Sequence, residues 1–269
     1  MKKNSYKKIA NGIRRKVLDM VYEAQTSHIG SNLSCIDILT VIYFGIMKPE
    51  DKFILSKGWA AASVYAILAK KGYFPPEDLD GYCKVNKRGE PVTPYMGLIS
   101  HKVKGVVCST GAMGHGLPIG LGMALAKKFN KEKGRVFVLL SDGEMDCGTT
   151  WESALFASHN KLDNLVVLID YNKLQAFGKT NEVLNLEPLK EKWQSFGWQV
   201  KEIDGHNFAE IENALAKNTF KEKKPSLLIA HTIKGKGVSF MENKIGWHYW
   251  SINKKDYEKA IAELTENIR

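Results

Sequence analysis

At 269 residues and 44% hydrophobic content, the chain is long enough for a full core, as one large α/β domain with extensions. No run of eighteen apolar residues exists, so no membrane span is expected, and the start, MKKNSYKKIANGIRRK, lacks the apolar segment of a signal peptide. Net charge is +10, but only five of the 39 basic residues are arginine and the lysines are scattered, which argues for a solvated surface and against a nucleic-acid face. Cys35, Cys83, Cys108 and Cys147 form no CxxC pair and no metal-ligand rhythm, so reduced, cytoplasmic thiols are expected.

In chain order, residues 5–25 read as a helix with Ile9, Ile13, Val17, Leu18 and Val21 on one face. A loop around His28 follows, where Gly30 permits a tight turn, and Ser34 is placed to cap a helix ending near Met47, before Pro49. Another helix spans Ala60 to Lys70 and stops at Gly72. Residues 75–108 are rich in Pro, Gly and charge and read as irregular, suited to a lid or an inter-subunit contact. Gly114, Gly116, Gly120 and Gly122 are spaced as Gly-x-Gly-x-x-x-Gly, which argues against a dinucleotide fingerprint; Gly120, Ala124 and their neighbours suit a closely packed helix.

Arg135–Leu140 and Leu165–Ile169 are nearly unbroken apolar runs, as in parallel strands covered on both faces, and Thr149–Asn160, with Ala154, Leu155 and Ala157, fits the crossover helix between them. A helix at Leu189–Phe196, a strand at Trp198–Ile203, a helix at Phe208–Lys217 and a strand at Ser226–Ala230 continue the alternation. The pattern is doubly wound α/β, a mostly parallel sheet with helices on both faces. With no internal repeat or low-complexity linker, residues 1–269 are expected to be a single domain.

Two polar residues follow the central strands: Asp142 after the first and Asn172, thirty residues on, after the second. Both strands end at the sheet edge where open α/β folds bind ligands. A carboxylate and a carboxamide oxygen are the hard donors Mg²⁺ takes when it also holds phosphate oxygens, and Gly143 lets backbone approach an anion. A plain tight turn at Asp142-Gly143 is the alternative, and spacing leaves both open.

This stretch resembles the thiamine diphosphate motif, which opens on Gly-Asp-Gly and closes on Asn. Its surroundings resemble the transketolase family, most of all the amino-terminal half of split transketolases. The resemblance is carried in order by SHIGSNLSCIDIL at 27–39, DKFILSKG at 51–58, STGAMGHGLPIGLGMALA at 109–126, SDGE through DYNKLQAFG, and HTIKGKGVSFMEN with Trp247-His248. It implies a thiamine diphosphate-binding fold supplying the diphosphate half of the site, with thiamine diphosphate and Mg²⁺ as cofactors. Asp142, Asn172 and Leu174 would hold the metal, and Gly111, Ala112, Met113, Asp142, Gly143, Asn172, His248 and Trp59 would contact the cofactor, Met113 as an apolar surface for its ring. His28 matches a family histidine that holds sugar hydroxyls or moves protons, and His248 one beside the diphosphate and the sugar, so both are catalytic candidates. His101 and His115 match less well; His115 reads equally as a helix-end residue under the Gly111 turn.

The chain departs from the family at three places. Ser141 replaces the first motif Gly. Trp59 replaces a histidine that donates to the diphosphate, and offers one uncharged indole N–H instead. Cys147 replaces a Glu of an acidic network whose second member is matched by Glu152. The activity implied is transfer of a two-carbon ketol unit between a ketose and an aldose, as sugars or sugar phosphates, and the positive charge is compatible with such substrates. The resemblance assigns the catalytic Glu and most sugar-phosphate ligands to a separate carboxy-terminal subunit, the pyrimidine domain, in an α₂β₂ assembly. A specialised sugar or acyloin synthase subunit is one alternative. A degenerate, cofactor-free subunit is the other, opposed by Asp142, Asn172 and His248.

Overall fold

The apolar runs form the centre of a wholly parallel five-stranded sheet in the order β1-β2-β3-β5-β4. The strands are β1 (Lys52–Leu55), β2 (Val136–Ser141), β3 (Leu165–Tyr171), β4 (Gln199–Asp204) and β5 (Ser226–His231). The structure, a computed structural model, describes residues 3–216 and 222–266. Every residue of β2 and β3 is buried, which requires cover on both faces and explains why neither strand alternates in polarity. β4, at one edge, is only partly covered.

These residues form two compact units. The sheet unit comprises residues 46–57, 110–216 and 222–232, and the helical unit residues 3–45, 58–109 and 233–266. In the sheet unit, α5 (Gly116–Phe129) packs on β2. A Cβ on Gly120 would stand 2.4 Å from Val138 Cγ2, so glycine sets how closely that helix approaches the strand. The crossover helix α6 (Gly148–His159) buries Ala154 and Ala157 but leaves Leu155 61% exposed. Helices α7 (Thr180–Val183), α8 (Leu189–Ser195) and α9 (Phe208–Leu215) follow. The expected end of α9 at Lys217 lies outside the described residues.

In the helical unit, α1 (Lys3–Ala24) buries Ile13, Val17, Leu18 and Val21 and half-buries Ile9, packing against α2 (Ile29–Ser34), α3 (Ile36–Val41), α4 (Ala61–Lys70) and α10 (Lys254–Glu266). Arg14, also inside α1, is buried because its guanidinium meets Asp37 at 2.6 Å and the Lys236 carbonyl at 3.0 Å. Residues 76–108 are irregular apart from a 3-10 turn at Pro76–Gly81 and an isolated bridge between Val85 and Pro91.

Two expectations are corrected in this unit. Ser34 does not stand at a helix start: helix begins at Ile29, the residue preceding α3 is Cys35, and the Ser34 hydroxyl donates back to the Ser31 carbonyl at 3.1 Å inside α2. Nor does Gly30 make the turn. His28 does, in the left-handed region at φ 70°, while Gly30 lies within α2 and leaves room for the Lys234 side chain, whose Cγ would be 3.1 Å from a Cβ there.

Candidate functional site

The candidate residues divide between the two units. In the sheet unit, Ser141 pairs in register with Asp170, so β2 and β3 end side by side. Asp142 opens a 3-10 turn (Asp142–Asp146) and is buried. Its Oδ1 accepts from the Gly143 N–H at 2.9 Å and its Oδ2 from the Lys173 N–H at 2.7 Å. Asn172, also buried, turns its Oδ1 back to the Leu174 N–H at 3.1 Å. Lys173, between them, is left-handed at φ 63°. Asp142 and the Asn172–Leu174 turn are therefore neighbours, thirty residues apart in sequence. A Cβ on Gly143 would meet only Gln175, at 3.6 Å, an ordinary contact, so no protein atom demands glycine there.

Among the described residues, no group of three or more His, Cys, Asp or Glu could hold a metal ion. A cation at this edge would rest on one carboxylate and neutral oxygens, the donor set of a Mg²⁺ whose other ligands are phosphate oxygens and water. The residues present fit that ion.

Glu144 is the organising residue that sequence reasoning missed. It is fully buried, and its two oxygens take donors from three segments: Ser141 N–H at 2.8 Å, Gly114 N–H at 3.1 Å and the Ser56 hydroxyl. Burial raises its carboxyl above the usual range, and these hydrogen bonds offset part of the rise. The Ser-x-x-Glu spacing from Ser141 is a capping box, the signal that could have found it. Through Gly114, Glu144 holds the loop carrying Gly111, Ala112 and Met113, the last 47% exposed. Gly114 sits at φ +76°, and a Cβ on it would strike Cys147 Cβ at 2.6 Å. Burial, then the charges of Glu144 and Asp146, push the Cys147 thiol up, which favours its neutral form beside that loop. His115 is the exposed N-cap of α5, and its Nδ1 lies 2.9 Å from the Met113 carbonyl. Beneath this edge, buried Lys57 pairs with buried Asp170, which also accepts from Thr232 at 2.5 Å.

In the helical unit, His28, Trp59 and His248 come together. The His28 N–H donates to the His248 carbonyl at 2.9 Å, and the two rings meet edge-on at 4.9 Å. The Trp59 and Tyr249 rings lie 6.4 and 6.0 Å from His28. Asn32 fixes the backbone of this group, donating to the carbonyls of His28 at 3.0 Å and Trp59 at 3.3 Å. Trp59 is partly exposed, and among the described residues its indole N–H makes no hydrogen bond. Lys234, another residue the sequence reading missed, is buried with its Nζ 2.8 Å from His248 Nδ1. His101 is exposed, with its Nδ1 2.8 Å from the Ser109 hydroxyl.

The family model described as "Transketolase, thiamine diphosphate binding domain" matches residues 5–266. The chain is 40% identical to one of the subunits of an apulose-4-phosphate transketolase from Phocaeicola vulgatus, covering 95% of this chain and 92% of that protein. It is 39% identical to a 6-deoxy-6-sulfo-D-fructose transketolase subunit of a Clostridium species, covering 95% and 94%. Among solved structures, the transketolase of Campylobacter jejuni superposes with a TM-score of 0.88 at 28% identity, over 98% of this chain but only 43% of that one. No helix among the described residues is long and apolar enough to cross a membrane. By family match, by relatives of matching length and by fold, the chain belongs to the transketolase family of transferases, as the amino-terminal, thiamine diphosphate-binding subunit type.

Proposed function

We propose that the chain is the amino-terminal subunit of a cytoplasmic, Mg²⁺- and thiamine diphosphate-dependent transketolase, moving a two-carbon ketol unit from a ketose or its phosphate to an aldose or its phosphate. Residues 1–269 work as one diphosphate-binding domain, and activity requires a carboxy-terminal pyrimidine subunit in an α₂β₂ assembly. The observation carrying this reading is the meeting of Asp142 with the Asn172–Leu174 turn at the ends of paired strands. Asp142, Asn172 and Leu174 hold the cation, Gly111, Ala112 and Met113 meet the cofactor ring, and Gly143 contacts the diphosphate. Trp59 and His248 donate to the diphosphate, and His28 holds sugar hydroxyls. The bound cofactor supplies the carbanion chemistry, and these residues supply binding and orientation.

The test is ketol transfer by the purified chain alone and with the candidate partner encoded beside it, with and without Mg²⁺ and thiamine diphosphate. Transfer is expected only from the complete mixture. Full activity of the chain alone would overturn the two-subunit reading, and no transfer from the complete mixture would overturn the transferase reading.

A second reading concerns substrate. Two relatives named for apulose-4-phosphate and 6-deoxy-6-sulfo-D-fructose, together with Trp59 beside His28, favour a specialised sugar over the common pentose phosphates. A donor and acceptor screen on the reconstituted pair separates the two.

A further inference from the structure

The contact between Lys234 and His248 decides what His248 can do. Lys234 is 1% exposed and reaches His248 across α2, where Gly30 has no side chain to block its stem. The Gly235 N–H donates to the Gly30 carbonyl at 3.0 Å and fixes the lysine's backbone on that helix. The Lys234 Nζ then stands 2.8 Å from His248 Nδ1, and the His248 backbone is held in turn by the His28 N–H.

One proton lies between Nζ and Nδ1. In water, lysine holds its proton about four pKa units more tightly than imidazole. Burial weakens both cations in the same sense, which leaves the lysine's lead as the deciding quantity. The proton stays on Nζ, Nδ1 accepts, and the ring's own proton is left on Nε2. We infer that Lys234 is a positioning residue that fixes His248 as the neutral Nε2–H tautomer, making it a hydrogen-bond donor toward ligand oxygen instead of a base. A second proton could enter only at Nδ1, where it would break the lysine bond and set two cations side by side.

The other titratable rings facing His248 are His28, 4.9 Å away, and Tyr249, 4.8 Å away. Helix α2 carries no charged residue, and on the loop that carries Lys234, Lys236 and Glu242 face each other at 3.4 Å. The donor's target, a phosphate or sugar oxygen, rests on the proposed function. The tautomer does not, so its test uses the isolated chain without cofactor.

The experiment is ¹⁵N–¹H long-range NMR of the side chains of the seven histidines in the full-length labelled chain, with His248 assigned through His248→Gln. Between about pH 8 and about pH 5, the span in which free imidazole takes up its second proton, wild-type His248 should keep a bare Nδ1 and a protonated Nε2. Lys234→Met should give mixed tautomers and ordinary titration, and Lys234→Arg should restore the wild-type pattern. A wild-type His248 protonated at Nδ1, or one that titrates as free imidazole does, overturns the inference, as does a folded Lys234→Met with an unchanged spectrum. If Lys234→Met does not fold, the wild-type spectrum decides alone. Failure to bind thiamine diphosphate would sink the proposed function and leave the tautomer standing.

Discussion

The Asp142 carboxylate accepts a 2.7 Å hydrogen bond from the Lys173 N–H, tying the turn after β2 to the turn after β3 before any ligand arrives. Asp142→Ala strands that N–H and the one on Gly143, at a cost of about 1–3 kcal/mol in urea unfolding of the cofactor-free chain. It should also abolish the calorimetric heat of thiamine diphosphate with Mg²⁺. Asp142→Asn retains one acceptor, removes the charge and turns an NH₂ toward either the Gly143 or the Lys173 N–H, so it should lose part of the stability and also lose cofactor affinity. Equal affinity in Asp142→Asn would exclude the carboxylate as the metal ligand.

The strands that build this edge were legible because β2 and β3 are buried on both faces and leave continuous apolar runs. Strand β1 was not, since four residues, Lys52–Leu55, are too few for a pattern. Helix α10 was missed for a related reason: only Ala260 and Leu264 are buried, too thin a stripe to stand out. The pairs Arg14–Asp37, Lys57–Asp170 and Lys234–His248 could not be read at all. Each joins side chains that only tertiary folding brings together, and neither partner carries a local spacing that announces the other. Glu144 is intermediate, because its capping-box spacing is local while its bonds to Ser56 and Gly114 are not.

The Glu144 carboxyl receives hydrogen bonds from three separate segments. Glu144→Gln replaces one acceptor oxygen with an NH₂ that must face existing donors, an expected loss of about 1–3 kcal/mol. The loop at Gly111–Gly116 should loosen with it, read as faster hydrogen exchange at the Gly114 amide. Unchanged exchange at Gly114 in a folded Glu144→Gln would show that something else holds the loop.

Trp59 offers an indole N–H that no described residue uses. If that N–H donates to the cofactor, Trp59→Phe should weaken thiamine diphosphate binding by about 0.5–1.5 kcal/mol, a several-fold rise in Kd by calorimetry. Trp59→His, which restores a ring donor, should recover it. Undiminished affinity in Trp59→Phe would make the ring a wall of the site and nothing more.

At the same end of the sheet, the Tyr171 hydroxyl donates to Glu187 at 2.5 Å. That bond, followed by the Leu189 N–H, holds the Glu187 carboxyl below its ordinary range. A lowered carboxyl contributes stability above its unfolded pKa, and the contribution fades as pH falls through the folded value. The Tyr171 phenol is raised, first by burial and then by Glu187, so its contribution is complete below the unfolded value and fades as pH rises through the folded one. Urea unfolding across pH should therefore show Tyr171→Phe flattening both the acid and the alkaline slopes. Glu187→Gln should flatten the acid slope and leave part of the alkaline one, because burial still acts on the phenol. Equal acid slopes in wild type and Glu187→Gln would show that the unfolded chain holds this carboxyl as low as the native contact does.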